Sequence, residues 1–316
     1  MTWVVGIDIG GSGSRAVLAG PGSASRLLEG ERARIAEGGS SIAGVAADLL
    51  RRVAHDWPAE SAQLSGIAVG ATGLATLVAD PRAAVDALAA LNPAVPIALA
   101  TDAVTTHLGA LGGEGGAVVA VGTGSIAFAT DLDRIWHRVD GWGHLLGDRG
   151  AGAWIGMEGL RAAARAHDGV DRLAVPLLAA ARERFGDPQT WPAQFYTRQD
   201  RAGVLAGFAP AVAALAADDD APATAIMRGA GEQVARSLSA ALIDGVPGLA
   251  STSGGVFDAG GVFVEAFRTE FARLRPDVDL REPLGSSLDG AVRLARRLGE
   301  SADLDGREPH IWVSGR

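Results

Sequence analysis

The sequence predicts an α/β protein with two domains, and three observations support this prediction. The chain has 316 residues, whereas a single domain usually contains about 100–200 residues. Apolar runs that end in glycines alternate with segments of helical periodicity. A strand, a glycine-rich turn and a returning strand occur near residues 3–19 and again near residues 117–130. The order of the elements is therefore repeated along the chain.

The first part of the chain contains three predicted strands, followed by helices and strands in alternation. The glycines after Ile9 and the Pro21-Gly22 dipeptide end the first two strands, because both patterns are typical of turns. Pro81 is expected to open a helix, because proline is favoured in the first helical turn. The predicted strands are 3–9, 15–19, 26–35, 67–69 and 97–100, and the predicted helices run from Ser41 towards Trp57 and over 82–91.

The second part opens with a strand, a turn and a returning strand at 117–121, 122–125 and 126–130. Residues 151–241 are mostly helical by periodicity, with a polar connection at Asp218-Asp219-Asp220. A strand at 249–253 runs into Gly254, and a last helix is predicted over 287–298. The end of the chain, 303–316, is expected to be a polar tail.

Composition and charge exclude several classes of protein. A content of 48% hydrophobic and 21% charged residues is typical of a folded globular chain. The chain has no cysteine, which excludes disulfides, thiolate zinc sites and iron–sulfur clusters. The net charge of −9 indicates a surface that repels nucleic acid and anionic lipid. With no signal peptide and no long apolar run, we expect a cytoplasmic protein without a nucleic-acid or membrane partner.

The segment from Gly11 to Ala16 matches the G-x-G-x-x-G/A pattern of dinucleotide-binding enzymes. That site requires a helix after the turn, whereas Arg15–Ala19 is short and predicts a strand. Asp8 precedes the turn, where its carboxylate would repel a bare pyrophosphate but could hold water on a magnesium ion. An NAD-dependent oxidoreductase therefore stays a weaker alternative to a magnesium–phosphate site.

Two glycine-rich turns could bind a polyphosphate. A Walker-A loop is excluded, because it requires a lysine and all 28 basic residues are arginines. Backbone N–H groups and hydroxyls of both turns could donate to phosphate oxygens, and Arg15 could add charge. Each turn alone is more typical of an ordinary hairpin, but the pair together with Asp8 favours phosphate. The turns comprise Gly10, Gly11, Ser12, Gly13 and Ser14, and Gly122, Thr123, Gly124 and Ser125.

Two further places could carry chemistry. Asp102 lies where a strand gives way to a helix, so it could be the base that accepts the proton of an attacking alcohol, or only a helix cap. The glycine-rich segment from Asp140 to Gly150 contains Trp142, His144 and Asp148. An indole face and carboxylates suit a sugar, although a rigid loop with a packed tryptophan would have the same composition.

Five segments together resemble the BadF/BadG/BcrA/BcrD-type ATPase family. They are Gly6-Ile-Asp-Ile-Gly-Gly-Ser-Gly-Ser-Arg15, Thr101-Asp102-Ala103, Gly122-Thr-Gly-Ser125, Gly141-Trp-Gly-His-Leu-Leu-Gly-Asp148 and Gly254-Gly255-Val256. The resemblance covers about residues 3–299 and implies the actin-like ATPase fold (sugar kinase/Hsp70/actin), with two ribonuclease-H-like domains around a nucleotide cleft. The resemblance implies an N-terminal domain at 1–105 and a C-terminal domain with helical insertions at 106–288. It also implies a helix at 289–300 that returns towards the first domain, and a tail at 301–316.

The resemblance also implies roles for individual residues. ATP and Mg²⁺ are the implied cofactors, with Asp8 binding the metal through water and Asp102 as the catalytic aspartate. The first turn with Arg15 and the second turn are the implied phosphate motifs, and Gly254, Gly255 and Val256 are expected to lie against adenosine. The implied sugar-binding residues are Thr72, Gly73, Asp102, Thr123, Gly124, Gly141, Trp142, Gly143, His144 and Asp148.

Within the family the chain is most similar to the kinases of N-acetylglucosamine, which implies ATP-dependent phosphorylation of the sugar's 6-hydroxyl. Arg149 and Ala151 replace the Glu and Ser that are usual in vertebrate-type kinases, so glucosamine with its free amine is an alternative substrate. The absence of cysteine argues against the family's dehydratase activators, and the strand at Trp3 argues against an N-terminal DNA-binding domain. A non-catalytic sugar or nucleotide sensor is a remote alternative. A homodimer is one oligomeric state that the sequence leaves open.

Overall fold

The computed structural model describes residues 2–10, 13–22, 24–33, 35–36, 39–74, 78, 80–300 and 306–314. Its strands in chain order are β1 (Trp3–Ile9), β2 (Ser14–Ala19), β3 (Ser25–Gly30), β4 (Ile35–Ala36), β5 (Gly39–Ser40), β6 (Leu64–Ala71), β7 (Ile97–Thr101), β8 (Gly116–Val121), β9 (Ser125–Thr130), β10 (Trp136–Asp140), β11 (Leu249–Ser253), β12 (Asp279–Arg281) and β13 (Ile311–Val313).

The α-helices of the same described residues are α1 (Ile42–Asp56), α2 (Pro58–Ser61), α3 (Pro81–Ala89), α4 (Asp102–Ala110), α5 (Gly152–His167), α6 (Val175–Phe185), α7 (Trp191–Tyr196), α8 (Arg201–Ala206), α9 (Ala209–Ala217), α10 (Ala221–Ala241), α11 (Gly261–Leu274) and α12 (Ser287–Glu300). The chain divides into two compact units. Unit 1 comprises Met1–Glu114 and Glu282–Arg316, and unit 2 comprises Gly115–Arg281. The predicted limit after residue 105 falls inside α4, and the domain limits stay a prediction.

Unit 1 contains a six-stranded mixed sheet in the order β13-β7-β6-β1-β2-β3. β1, β6 and β7 are parallel neighbours, whereas β2 and β3 return antiparallel to β1 and β2. Val5, Ile7 and Ile9 on β1 and Ile67 and Val69 on β6 are fully buried. Because both central strands are apolar and parallel, their carboxyl ends can present polar side chains from a rigid base.

Glycines allow α12 to pack against its neighbours with backbone in contact. A Cβ atom at Gly290 would lie 1.7 Å from the carbonyl oxygen of Thr105 on α4, and one at Gly109 would lie 1.9 Å from that of Ser286. A Cβ at Gly66 of β6 would similarly lie 2.2 Å from the carbonyl oxygen of Ala295. Any larger residue at these positions would force the helix outwards. The glycines therefore fix the position of α12 over β6 and α4.

Unit 2 contains a five-stranded sheet in the order β10-β9-β8-β11-β12. Counted within the unit, this order is 3-2-1-4-5, which is also the order of β3-β2-β1-β6-β7 in unit 1. The sheet and helices of unit 2 enclose an apolar core that includes Phe208, Phe263 and Phe267. The strand–turn–strand repeat in the sequence is thus confirmed as the opening of two sheets with the same topology.

Some predicted elements need correction. The strand predicted over 26–35 ends at Gly30, because Gly30 pairs with Ser14, the first residue of β2. The predicted tail contains β13, whose three buried apolar residues pair antiparallel with β7. β10 and β12 were not predicted. Among the described residues, no single helix is long and apolar enough to cross a membrane, and Arg201–Ala217 with Ala221–Ala241 pass that test only as a pair bent by 117°.

Candidate active site

The first group of polar residues in unit 1 surrounds Asp8, near the end of β1. Asp8 is opposite Arg15 in the β1–β2 pair, and its Oδ2 accepts a hydrogen bond of 3.1 Å from the Arg15 guanidinium. Oδ1 accepts a bond of 2.9 Å from the hydroxyl of Ser287, the first residue of α12. The carboxylate is mostly buried but retains 18% of its side-chain exposure. Each oxygen thus keeps a lone pair that could accept from a metal-bound water.

The first turn follows Asp8 and begins a β-hairpin. The N–H of Gly10 donates to the carbonyl oxygen of Gly13 at 2.9 Å, and Ser14 starts β2. The hydroxyl of Ser14 donates to the carbonyl oxygen of Glu31 at 2.6 Å and is therefore already used within the protein. Gly11 and Ser12 lie outside the described residues. Since β1 is followed by an antiparallel strand, this segment is not the strand–helix turn of an NAD site, and that alternative reading of the motif is wrong.

Asp102 and Thr72 form the second polar group of unit 1. Ala71, the last residue of β6, pairs with Thr101 at the end of β7, so the residues that follow them are neighbours. The Thr72 hydroxyl donates to Asp102 Oδ2 at 2.8 Å, and the N–H of Ala103 donates to Oδ1 at 2.9 Å. Gly73 adopts φ +72°, which glycine tolerates at a turn. The parallel strands therefore hold Thr72 and Asp102 at one edge of the sheet.

The surroundings of Asp102 favour its neutral form. Burial of the carboxyl group raises the pKa of Asp102 above its ordinary value, and the negative charge of Asp8 adds to this rise. The hydrogen bonds from Thr72 and from the Ala103 N–H act in the opposite direction. A carboxylate whose proton affinity is raised in this way is suited to general-base chemistry near neutral pH.

In unit 2, the second turn connects β8 to β9 and packs against the start of α5. Gly122 donates from its N–H to the carbonyl oxygen of Gly124 at 2.8 Å. The carbonyl oxygens of Gly122 and Thr123 accept from Gly152 and Ala153 at 2.9 and 3.1 Å. These bonds satisfy the first two N–H groups of α5 and hold the turn against the start of the helix.

The glycine-rich segment 140–150 is organised around Asp140, a fully enclosed carboxylate at the end of β10. Its Oδ1 accepts from the N–H of Asp148 at 2.8 Å, and its Oδ2 accepts from the N–H of Arg149 at 3.0 Å and from the Arg149 guanidinium at 3.4 Å. Asp140, Asp148 and the glycines at 141, 143 and 150 all have positive φ. The segment is therefore a series of turns that hydrogen bonds to the Asp140 carboxylate hold in place.

Asp148 lies next to the second turn. A Cβ atom on Gly124 would lie 2.7 Å from Asp148 Oδ2, so only glycine allows this approach. Asp148 Oδ1 accepts from the N–H of Gly143 at 3.2 Å. Burial raises the pKa of Asp148, although the Gly143 hydrogen bond opposes the rise. In the described part of the chain, the Ser125 hydroxyl and His144 Nε2 are buried without a hydrogen-bond partner. Such atoms can bond to a ligand.

Trp142 projects from the same segment and is 62% exposed. The Arg138 guanidinium carbon lies 4.7 Å from the centre of its ring, a cation–π distance that restrains the indole. An exposed, restrained indole can cover the apolar face of a sugar ring.

A cavity of about 520 Å³ within unit 2 has a mainly apolar wall. Gly122 and Thr123 of the second turn and Gly255 and Val256 after β11 contribute to it. Gly254 has φ +100°, and a Cβ there would lie 2.3 Å from the carbonyl oxygen of Val121, so glycine is required. The remaining residues of the wall are Gly152, Ile155, Ala206, Ala209, Pro210, Ala213, Met227, Asp258 and Ala259. A pocket of this size and character suits a nucleoside.

The family model of the BadF/BadG/BcrA/BcrD ATPases matches residues 5–292, a range that includes every polar group described above. The chain belongs to this ATPase family.

Similar proteins agree with the family and with the fold. An N-acetylmuramic acid/N-acetylglucosamine kinase of Clostridium acetobutylicum is 28% identical over 176 residues, which are 53% of this chain and 55% of that protein. The match thus spans about half the length of this relative. The crystal structure of a Chromobacterium violaceum protein, proposed to be an N-acetylglucosamine kinase, is 27% identical with a TM-score of 0.70, covering 93% of this chain and 99% of that one.

A more distant structure supports the fold alone. The ROK family glucokinase of Streptomyces griseus, solved with glucose and AMPPNP, has a TM-score of 0.57 at 17% identity. The alignment covers 93% of this chain and 99% of that chain. The predicted α/β fold of the actin-like ATPase class is confirmed.

The structure of this family member brings the described site residues together within each unit. Asp8, Arg15, Thr72 and Asp102 lie at one edge of the unit 1 sheet, and the second turn adjoins both Asp148 and the cavity in unit 2. Their roles stay predictions. Sequence reasoning missed Ser287, because it is 279 residues from Asp8 and only the packing of α12 brings it there. It also missed Asp140 as the centre of its segment, since that role depends on backbone hydrogen bonds.

The described residues offer few protein ligands for a metal ion. Across the part of the chain that the structure describes, three or more His, Asp or Glu residues do not come together in a group that could hold a metal ion. Magnesium bound to a nucleotide needs only one or two carboxylates, because phosphates and waters complete its octahedron. The single carboxylate of Asp8, bonded by two donors, has the chemistry of such a site.

Proposed function

We propose that the protein is an ATP-dependent amino-sugar kinase that phosphorylates the 6-hydroxyl of N-acetylglucosamine. The observation that carries the proposal is Asp102, a carboxylate with raised pKa at the carboxyl edge of a parallel sheet, next to Thr72. The Clostridium acetobutylicum relative phosphorylates N-acetylglucosamine by its name, and the Chromobacterium violaceum protein is proposed to do so. Membership of an ATPase family supports ATP as the donor.

In the proposed reaction, Asp102 orients the sugar hydroxyl and accepts its proton. The hydroxyl oxygen forms a bond to the γ-phosphorus as the bond between that phosphorus and the β,γ-bridging oxygen breaks, and ADP leaves with the bridging oxygen. The Thr72 hydroxyl donates to Asp102 Oδ2 and so keeps the carboxylate in a fixed rotamer before the proton arrives. Most of the remaining rate enhancement in phosphoryl transfer comes from positioning and from neutralising charge.

Asp8 is the proposed contact to the magnesium ion that accompanies ATP. When bound, Mg²⁺ neutralises negative charge on the β- and γ-phosphates. Asp8 would hold this ion through water, while Arg15 keeps the carboxylate from repelling the phosphates. In the second turn at Gly122–Ser125, the N–H groups of Thr123 and Gly124 would donate to the phosphate oxygens, since the N–H of Gly122 is already bonded to the carbonyl oxygen of Gly124.

The cavity of unit 2 is the proposed nucleoside pocket. Its wall of alanines, Ile155, Met227 and Val256 would remove the purine from water, with Asp258 as the one charged side chain in that wall. The phosphates would then follow the second turn, which forms part of the same cavity.

Asp148, His144 and Trp142 are the proposed sugar-binding residues. The Asp148 carboxylate would accept from sugar hydroxyls, and the unpaired His144 Nε2 and Ser125 hydroxyl could complete the hydrogen bonding. The Clostridium acetobutylicum relative is named for its action on N-acetylated sugars. We therefore propose the N-acetylated sugar over the free amine, with glucosamine as the alternative substrate.

Product identification tests this proposal. The protein is incubated with Mg-ATP and either N-acetylglucosamine or glucosamine, and the products are followed by ³¹P and ¹³C NMR. We expect a phosphomonoester on carbon 6 of N-acetylglucosamine, formed faster than glucosamine phosphate. A phosphate on carbon 1 would contradict the assigned hydroxyl, and faster turnover of glucosamine would reverse the choice of substrate.

A further inference from the structure

A chain of hydroxyl groups connects α12 and α4 to Asp8 within unit 1. The Ser287 hydroxyl donates to Asp8 Oδ1 at 2.9 Å. The hydroxyl oxygens of Ser287 and Thr105 are 2.8 Å apart, and the Thr105 hydroxyl is also 3.2 Å from the carbonyl oxygen of Asp102. Because the proton of Ser287 is directed to Asp8, Thr105 can donate to Ser287, which is closer than its other acceptor, the carbonyl oxygen of Asp102. The chain therefore ends on the carboxylate that we propose for magnesium.

Close packing places Ser287 at this position. A Cβ atom on Gly70 of β6 would lie 2.4 Å from the Thr105 hydroxyl, so glycine leaves room for that side chain. Gly290, one turn after Ser287, similarly lets α12 approach the backbone of Thr105. Thr105 itself is completely buried. The hydroxyl chain is thus set by backbone contacts and not by freely rotating surface side chains.

Ser287 is not needed to cap its own helix, because Ser286 performs that task. The Asp289 carboxylate accepts from the N–H and from the hydroxyl of Ser286, both at 2.7 Å. The Ser286 hydroxyl in turn lies 3.3 Å from the N–H of Asp289. This reciprocal pair is a capping box. The Ser287 hydroxyl is consequently available for Asp8, and the two adjacent serines have separable roles.

We propose that Ser287 is a positioning residue that holds the Asp8 carboxylate in the orientation required to bind the magnesium ion of Mg-ATP. Thr105 supports it by donating to the Ser287 oxygen. A hydrogen bond from a neutral hydroxyl to a carboxylate is stronger than one between neutral groups, so it can select one rotamer of Asp8. This inference rests on the proposed function, because it gives Asp8 a metal to bind.

Metal binding in two neighbouring serine variants tests the inference. Mn²⁺ is titrated by electron paramagnetic resonance into the full chain with AMPPNP, which cannot be turned over, and the Mg²⁺ dependence of ADP release is measured separately. We expect Ser287→Ala to weaken Mn²⁺ binding by about tenfold and to raise the Mg²⁺ requirement similarly, since a bond to a charged group has this order of effect. The KM for the sugar should stay unchanged.

Ser286→Ala is the matched control. It should lower the unfolding temperature by roughly 2–4 °C through loss of the cap, while Mn²⁺ affinity and activity stay unchanged. If Ser287→Ala likewise lowered only the unfolding temperature and left the Mn²⁺ affinity and the activity unchanged, the inference would be overturned and Ser287 would be a structural residue.

Thr105 provides a second, independent pair of variants. Thr105→Val removes the hydroxyl at nearly constant volume and should weaken Mn²⁺ binding, as Ser287→Ala does. Thr105→Ser keeps a hydroxyl and should bind Mn²⁺ as the unchanged protein does. If Ser287→Ala does not fold, these two Thr105 variants test the inference instead. Equal Mn²⁺ affinities of Thr105→Val and Thr105→Ser would contradict it. Weakened Mn²⁺·AMPPNP binding in a protein that phosphorylates no sugar would support the role of Ser287 while rejecting the proposed kinase function.

Discussion

Asp8 and Asp102 illustrate how identical side chains acquire different tasks from their neighbours. Asp8 accepts hydrogen bonds from the guanidinium of Arg15 and from the hydroxyl of Ser287. Asp102 accepts from neutral donors, and burial raises its pKa. Two carboxylates with such different hydrogen-bond partners can serve different tasks, one beside a metal-bound water and one as a general base. The sequence predicted both aspartates but could not predict this difference, because it depends on burial and on distant partners.

Replacing Asp102 by asparagine should separate catalysis from stability. Asparagine keeps the shape but cannot accept the hydroxyl proton, so turnover should fall by several orders of magnitude while sugar binding persists. The pKa of Asp102 is raised above its ordinary value of 3.8, so the folded state binds this proton more tightly than the unfolded chain does. Ionisation of Asp102 therefore destabilises the fold as the pH rises above that value.

The stability of the variant should accordingly depend on pH. Asp102→Asn should unfold at a higher temperature than the unchanged protein near pH 8. This difference should disappear below about pH 4, where Asp102 is protonated in both the folded and the unfolded chain. Thermal unfolding followed by circular dichroism across this range measures it. Equal turnover in the variant would remove Asp102 from the mechanism, and a lower unfolding temperature at every pH would contradict the effect of burial.

At the scale of elements, strands that form the repeated hairpins were predicted well, whereas edge elements were not. β1, β2, β8 and β9 are largely apolar, and each of them and β11 adjoins a glycine, which identifies them locally. β10 and β12 lie at opposite edges of their sheet, where tertiary pairing rather than composition decides the conformation. β13 is apolar but very short, and only its pairing with β7 makes it a strand.

The pair of helices α10 and α11 depends on a buried carboxylate. Glu270 accepts from Arg273 at 2.7 and 3.0 Å and from Arg236 of α10 at 3.0 Å, and these guanidinium groups lower the pKa of Glu270 to about 2. Glu270→Gln should lower the unfolding temperature by roughly 2–4 °C near neutral pH. The stabilisation should be present above the ordinary pKa of 4.5 and be lost as the pH falls towards 2.

Glu232→Gln is the control for this prediction, because Glu232 contacts Arg236 at 3.3 Å on an exposed helix face. Exposed pairs contribute little to stability. Calorimetry on both variants checks the difference. Equal melting temperatures of Glu270→Gln and Glu232→Gln would show that the Glu270 network does not stabilise the packing of the two helices.

Helix α9 contributes Ala213 to the proposed nucleoside pocket. Ala213→Leu should reduce the room for the base and raise the KM for ATP about tenfold, because filling a close-packed pocket costs on the order of 1–3 kcal/mol. The KM for the sugar should be unaffected. Ala214→Leu, on the exposed face of the same helix, is the matched control. An unchanged KM for ATP in the Ala213 variant would show that the nucleotide binds elsewhere.

For the whole molecule, the sequence predicted two related units because its hairpin motif is repeated, and both sheets indeed share one strand order. The resemblance implied that a helix at 289–300 returns towards the first domain, and α12 packs on β1 and β6 through glycines. Local sequence could not predict that β13 completes the unit 1 sheet, because its pairing with β7 joins segments far apart in the chain. The predicted nucleotide cleft stays a prediction. The chemistry of each unit is nevertheless specific enough to be tested by the activity of the complete chain.

ADP release with Mg-ATP tests the proposed kinase activity most directly. The protein is assayed with N-acetylglucosamine, glucosamine, N-acetylmannosamine or glucose and without sugar, with Asp102→Asn as the control for contaminating kinases. We predict release that depends on sugar, is largest with N-acetylglucosamine and is abolished in the variant. ADP release that no sugar stimulates, or that the variant retains, would contradict the assignment of an amino-sugar kinase.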